Sequence, residues 1–168
     1  MKLSAMKSIH SFLLTALLCA VEIEAAERDL ILVAGQSNAV GFDAFASEMP
    51  ASPEDKEVMF WWRVGDPPPD RHDVTSGGWT HLQPQPKGEP LPPPPQPAGP
   101  TGKAHRQYGN FAKPEGGFGP EVGLARLLQQ REGKGPAVVK VAFSGTALRT
   151  DWNPDDDGPV CACYRALI

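Results

Sequence analysis

The sequence carries no excess of positive charge: 16 Lys and Arg stand against 20 Asp and Glu, a formal net charge of -4. Without a large basic patch there is no electrostatic case for nucleic acid as a partner. Long apolar runs are also absent. The longest, Phe12 to Val21, has ten residues, about half of what a membrane-spanning helix needs. Cysteine is scarce, with three residues, and beyond the first 26 positions only Cys161 and Cys163 remain. A disulfide between cysteines one residue apart is strained, and a lone C-x-C without companion His or Cys is a weak metal signal. The pair reads as two ordinary thiols, and no metal is expected. Histidine is sparse as well: His10, His72, His81 and His105, with none after position 105.

Against these absences stand a patterned N-terminus and an abundance of proline. Lys2 and Lys7 precede the apolar run, and small residues follow at Ala25 and Ala26. That order predicts a cleaved signal peptide over residues 1–26 and a secreted or periplasmic protein with no membrane attachment after cleavage. A buried N-terminal helix is the alternative. Thirteen of the nineteen prolines fall between Gly65 and Phe118, and "PLPPPPQPAGP" at 90–100 can form neither a helix nor a central strand. Residues 65–118 are therefore expected to form a surface insertion.

Three stretches read as strands. Leu30 to Ala34 is apolar and ends in glycine, Val58 to Val64 is "VMFWWRV", and Ala137 to Phe143 is "AVVKVAF". Between the second and third, Gly119 can cap a helix, Pro120 suits its first position, Glu121 complements its dipole, and Gly133 ends it. Strand, strand, insertion, helix, strand argues for an α/β fold with a mainly parallel sheet. Ligands of such sheets sit at the carboxyl ends of the strands, where "GQSN" (35–38) and "SGT" (144–146) both fall. Gly35 lets the chain bend after the strand, and Ser37 at the start of the next helix is either a nucleophile or merely a helix cap. The stretch is neither a G-x-S-x-G elbow nor a phosphate loop.

"LILVAGQSNAVG" resembles the first block of the sialate O-acetylesterase-like SGNH hydrolases, the group known as carbohydrate esterase family six. "FGPEVGLARLL" (118–128) is similar to the family's G-P-E helix start, and "VKVAFSGTALRTDWNP" (139–154) is similar to its second block. The resemblance runs from about residue 29 onward and implies a three-layer α/β/α sandwich over 27–168 and an exported esterase that removes acetyl groups from sialic acid, xylan or related glycans. It implies Ser37 as the nucleophile and the backbone N–H of Gly145 as an oxyanion donor. Gly35, Gln36, Asn38 and Thr146 would support them, with Trp152 at the substrate. No cofactor is implied, since acyl transfer by serine needs none.

The departures are specific. Ser144 stands where the family has a glycine. The family's later W-x-Q-G-E and D-x-x-H blocks, which supply a further oxyanion donor and the catalytic histidine with its carboxylate, have no counterpart in these 168 residues. "DRHD" at 70–73 offers Asp70 and His72, but it precedes the second block and reads as a charged loop. The chain is therefore expected to correspond to the N-terminal part of such an esterase, truncated, and to be nearly inactive alone. Two other classes compete with the esterase: a non-catalytic carbohydrate binder using Trp61, Trp62, Trp79 or Trp152, and an interaction protein built on the proline-rich segment.

Overall fold

A computed structural model describes residues 27–71, 73–88, 108–111, 113–155 and 162–168. The expected signal peptide, His72, Cys161 and the polyproline run at 90–100 lie outside the described residues. The elements, in chain order, are β1 (Leu30–Gly35), α1 (Ser37–Val40), β2 (Met59–Gly65), β3 (Val74–Thr75), β4 (Thr80–His81), α2 (Glu121–Glu132), β5 (Ala137–Phe143) and α3 (Ala162–Arg165). Short 3-10 turns at Ala46–Glu48 and Pro53–Glu57 join α1 to β2. Among the described residues no helix is long and apolar enough to cross a membrane.

The result is an α/β fold around one mixed, mostly parallel sheet of five strands in the order β1-β5-β2-β3, with β4 also paired to β2. β1, β5 and β2 run parallel; β3 and β4 are antiparallel to β2. The register puts Gly35 beside Ala142 and Gly65 beside Phe143, so the carboxyl ends of all three parallel strands share one edge of the molecule.

Alternation along each strand feeds two cores. Val33 of β1, Phe60, Trp62 and Val64 of β2, and Val138 and Ala142 of β5 pack with Val40 of α1 and with Val122 and Ala125 of α2. On the opposite face Val141 and Phe143 pack with Trp152 and Cys163, and Trp61, Ala166 and Leu167 lie against them. Trp61 and Trp62 thus face opposite sides of the sheet, as period two requires. β1 lies at the sheet edge, and its Leu30 and Leu32 are more than half exposed.

The helix predicted after the insertion is present, with its N-cap at Pro120 rather than Gly119. Its end is the predicted one: Gly133 adopts the left-handed conformation (φ 69°) and donates its N–H to the Gln129 carbonyl at 2.9 Å.

Within residues 65–118 some described parts are exposed, as at Gly77–Trp79, while others are built into the fold. β3 and β4 extend the sheet from this segment. Its two flanks then close on each other: Gln85 and Gly117 exchange both backbone hydrogen bonds, at 2.8 and 3.0 Å, and Gly88 N–H reaches Tyr108 O at 2.8 Å. Leu82, Gln85, Tyr108, Asn110 and Phe111 are buried as a result. The dense proline between them masked this pairing, because each strand or bridge is only one or two residues long and leaves no periodic signal.

Candidate active site

β1 ends at Gly35 and the chain turns at once into α1, with Gln36 as N-cap and Ser37 as the first helical residue. The turn is closed by backbone bonds from Ala39 and Val40 to the Gln36 carbonyl (2.8 and 3.0 Å) and from Gly41 and Phe42 to the Ser37 carbonyl (3.1 and 3.2 Å). Gly41 stops it in the left-handed region (φ 95°), and a Cβ there would sit 1.9 Å from the Phe118 carbonyl oxygen. Glycine is needed on both counts. The Ser37 hydroxyl, partly exposed, donates to Gln36 Oε1 at 3.0 Å.

β5 ends beside β1, and its continuation Ser144–Gly145–Thr146 enters the same edge. Ser144 N–H is tied to Gly65 O at 2.9 Å. Gly145 is exposed in the left-handed region (φ 73°). Thr146 is buried; its hydroxyl donates to Phe143 O at 2.8 Å and accepts the indole N–H of Trp152 at 3.1 Å. Asp151 closes the following turn by accepting from Ala147 N–H at 2.7 Å. The structure thus brings Gly35, Gln36, Ser37, Asn38, Gly145 and Thr146 to the ends of two adjacent parallel strands. Trp152 is different. Only 8% exposed, it belongs to the core beneath the loop and offers no open face to a sugar.

Two open concavities flank the turn. One, about 550 Å³, runs along the β1 edge between Leu32, Gln36, Asn38 and Leu124. The other, about 370 Å³, lies between Asn38, Phe42, Asp43 and Phe118. Asn38 and Pro120 line both.

Beneath the turn lies a buried polar cluster absent from the sequence reading. Lys140 of β5, fully buried, donates to Glu121 Oε1 (2.9 Å), Gln85 Oε1 (2.6 Å) and the Val40 carbonyl (3.1 Å). Asn110 Nδ2 donates to the same Val40 carbonyl at 2.8 Å. Glu121 Oε1 also accepts from Gly119 N–H at 2.8 Å and from Gln85 Nε2 at 3.2 Å. Burial pushes the Lys140 ammonium below its ordinary pKa, and the Glu121 carboxylate opposes that shift. One signal could have found this cluster. Lys140 stands at an inward position of an otherwise apolar strand, between Val138 and Ala142, where a charge requires a partner.

A general base is harder to place. Among the described residues the one histidine is His81, which pairs with Met59 at the amino end of β2, away from the edge that carries Ser37. The carboxylates of "DRHD" are otherwise engaged: Arg63 binds Asp73 Oδ2 through Nε at 3.0 Å, and Tyr108 donates to Asp70 at 3.4 Å. Burial raises the Asp73 pKa to about 6 despite the Arg63 guanidinium beside it.

Comparison with protein-family models, with curated proteins and with solved structures finds no match. The site therefore stands on its own geometry. That geometry is a serine at a strand-to-helix turn, a glycine loop on the neighbouring strand, and a buried charged cluster beneath them. Among the described residues no group of His, Cys, Asp and Glu could hold a metal ion.

Proposed function

We propose that this chain is an exported serine esterase of carbohydrate O-acetylesterase type, on an SGNH-like three-layer α/β/α sandwich. The observation that carries the reading is the register that sets Gly35 beside Ala142, so that the G-Q-S-N turn and the Ser144–Thr146 loop meet at one carboxyl edge. Acyl transfer requires a nucleophile and N–H donors aimed at the same point. In this reading the Ser37 oxygen attacks the acetyl carbonyl. The backbone N–H groups of Ser37 and Gly145 receive the negative charge on the carbonyl oxygen. The sugar oxygen leaves with a proton, and water then releases acetate from Ser37. The substrate is an acetylated glycan.

The Ser37 proton needs an acceptor, and in the structure the hydroxyl faces the Gln36 amide oxygen. General-base assistance is typically worth about 10²–10⁴ in rate. With that amide as its partner among the described residues, Ser37 is expected to turn over slowly unless a base is added. Aryl acetate hydrolysis at rising imidazole tests this, after subtraction of the rate of the Ser37→Ala protein. The expected result is a Ser37-dependent rate that grows with imidazole. A difference of zero at every concentration would remove Ser37 as nucleophile. Robust turnover without imidazole, lost in His72→Ala, would assign the base to that histidine.

A second reading, a carbohydrate binder without catalysis, draws support from Trp79. It is about half exposed (51%) on the turn between β3 and β4, a turn fixed by Ser76, which donates to Gly78 O at 2.7 Å. Titration of intrinsic fluorescence with acetylated xylan separates the readings: a binder loses affinity in Trp79→Ala and keeps it in Ser37→Ala.

A further inference from the structure

α1 is a single turn of four residues, too short to be stable by itself, and it presents the proposed nucleophile. The carbonyls at the end of such a turn have no partner inside it. At Val40 the deficit is filled from two distant parts of the chain, by the Lys140 ammonium at 3.1 Å and the Asn110 amide at 2.8 Å. Lys140 is held in turn by Glu121 and Gln85, and all four side chains are fully buried.

Stability alone does not account for this arrangement. A buried ion pair contributes little compared with apolar residues of the same size. This one also leaves Glu121 Oε2 and Asn110 Oδ1 buried with no hydrogen-bond partner among the described residues. What the cluster accomplishes is directional: two donors, one of them charged, converge on one carbonyl oxygen at the negative end of the turn. Gly119 permits the close packing this demands, since a Cβ there would lie 2.7 Å from Glu121 Oε2 and 3.0 Å from Lys140 Nζ.

We propose that Lys140 and Asn110 are positioning residues for Ser37, clamping the Val40 carbonyl so that the Gln36–Val40 turn holds the hydroxyl at the sheet's carboxyl edge. Glu121 and Gln85 fix the lysine. The value of the clamp to catalysis rests on the reading of Ser37 as nucleophile; its effect on the turn does not.

The experiment compares the wild type with the charge-neutral double variant Lys140→Met/Glu121→Gln and with Asn110→Ser, which spares the ion pair should the double variant fail to fold. Hydrogen exchange is followed at the amides of Ala39, Val40, Gly41 and Phe42, whose bonds close the turn, and at the amides of β5 as the reference. Acetylation of Ser37 by an aryl acetate is followed against its concentration. Losing one of two donors should speed exchange in the turn by about tenfold relative to β5. The maximal acetylation rate should fall by a similar factor, with the half-saturating concentration little changed. Exchange that rises equally in the turn and in β5, or in neither, would overturn the clamp. Clamp-dependent exchange without any acetylation of Ser37 in the wild type would uphold the clamp and refute the nucleophile.

Discussion

The indole N–H of Trp152 donates to the Thr146 hydroxyl at 3.1 Å, and through that bond a buried aromatic core holds the loop that carries Gly145. The side chain supports the site from below and does not line it. Trp152→Phe removes the donor and leaves a small void, so it should destabilise the protein by roughly 1–2 kcal/mol. Urea unfolding measures this directly. Unchanged stability, with weakened binding of an acetylated glycan, would place Trp152 at the substrate after all.

Two glycines of the site should respond differently to alanine. Gly41 combines a left-handed backbone with a contact to the Phe118 carbonyl, so Gly41→Ala should cost roughly 2–5 kcal/mol. Gly145 shares the left-handed backbone but is exposed, so Gly145→Ala should cost roughly 1–2 kcal/mol. Thermal and urea unfolding of the two variants give the order. An equal or reversed order would contradict the packing of Phe118 over the turn.

Asp73 makes stability depend on pH in a defined sense. Its folded-state pKa, raised by burial to about 6, lies above that of an unfolded aspartate. Below about pH 4 both states hold the proton and the contribution is complete. It declines as pH rises through about 6, because the unfolded chain releases its proton first. The stability of the wild type relative to Asp73→Asn should therefore fall between about pH 4 and pH 6 and then level off. A difference that grows across this window would show that the Arg63 pairing outweighs burial.

Much of this architecture is legible in the residues. Continuous apolar stretches specified β1, β2 and β5 within a residue of their observed bounds. In β2 and β5 the run is nearly unbroken because both faces are largely covered, whereas β1 is just as apolar at the sheet edge with Leu30 and Leu32 exposed. Pro120 and Gly133 marked the ends of α2 for steric reasons that hold in any context. β3 and β4 were not legible, since two residues set no period and their pairing with β2 is decided by tertiary contact. The Ser37 turn was readable from its glycine and its place after a strand. Its support was not: Gln85, Asn110, Glu121 and Lys140 come from four separate segments, and Glu121 looked like an ordinary partner of the helix dipole. Only the inward lysine hinted at a buried charge.

Acetylation of Ser37 itself tests the central claim most directly. An aryl acetate carries a good leaving group and can acylate a well-placed serine even without strong base assistance, whereas release of acetate by water needs a base. The acetyl enzyme should therefore accumulate. After incubation of the folded protein with an aryl acetate and rapid acid quenching, mass spectrometry of the peptides should find one acetyl group on Ser37. It should be absent from Ser37→Ala and from protein unfolded before the reaction. Acetyl groups scattered over lysines and other serines, with Ser37 unmodified in the folded protein, would contradict the account.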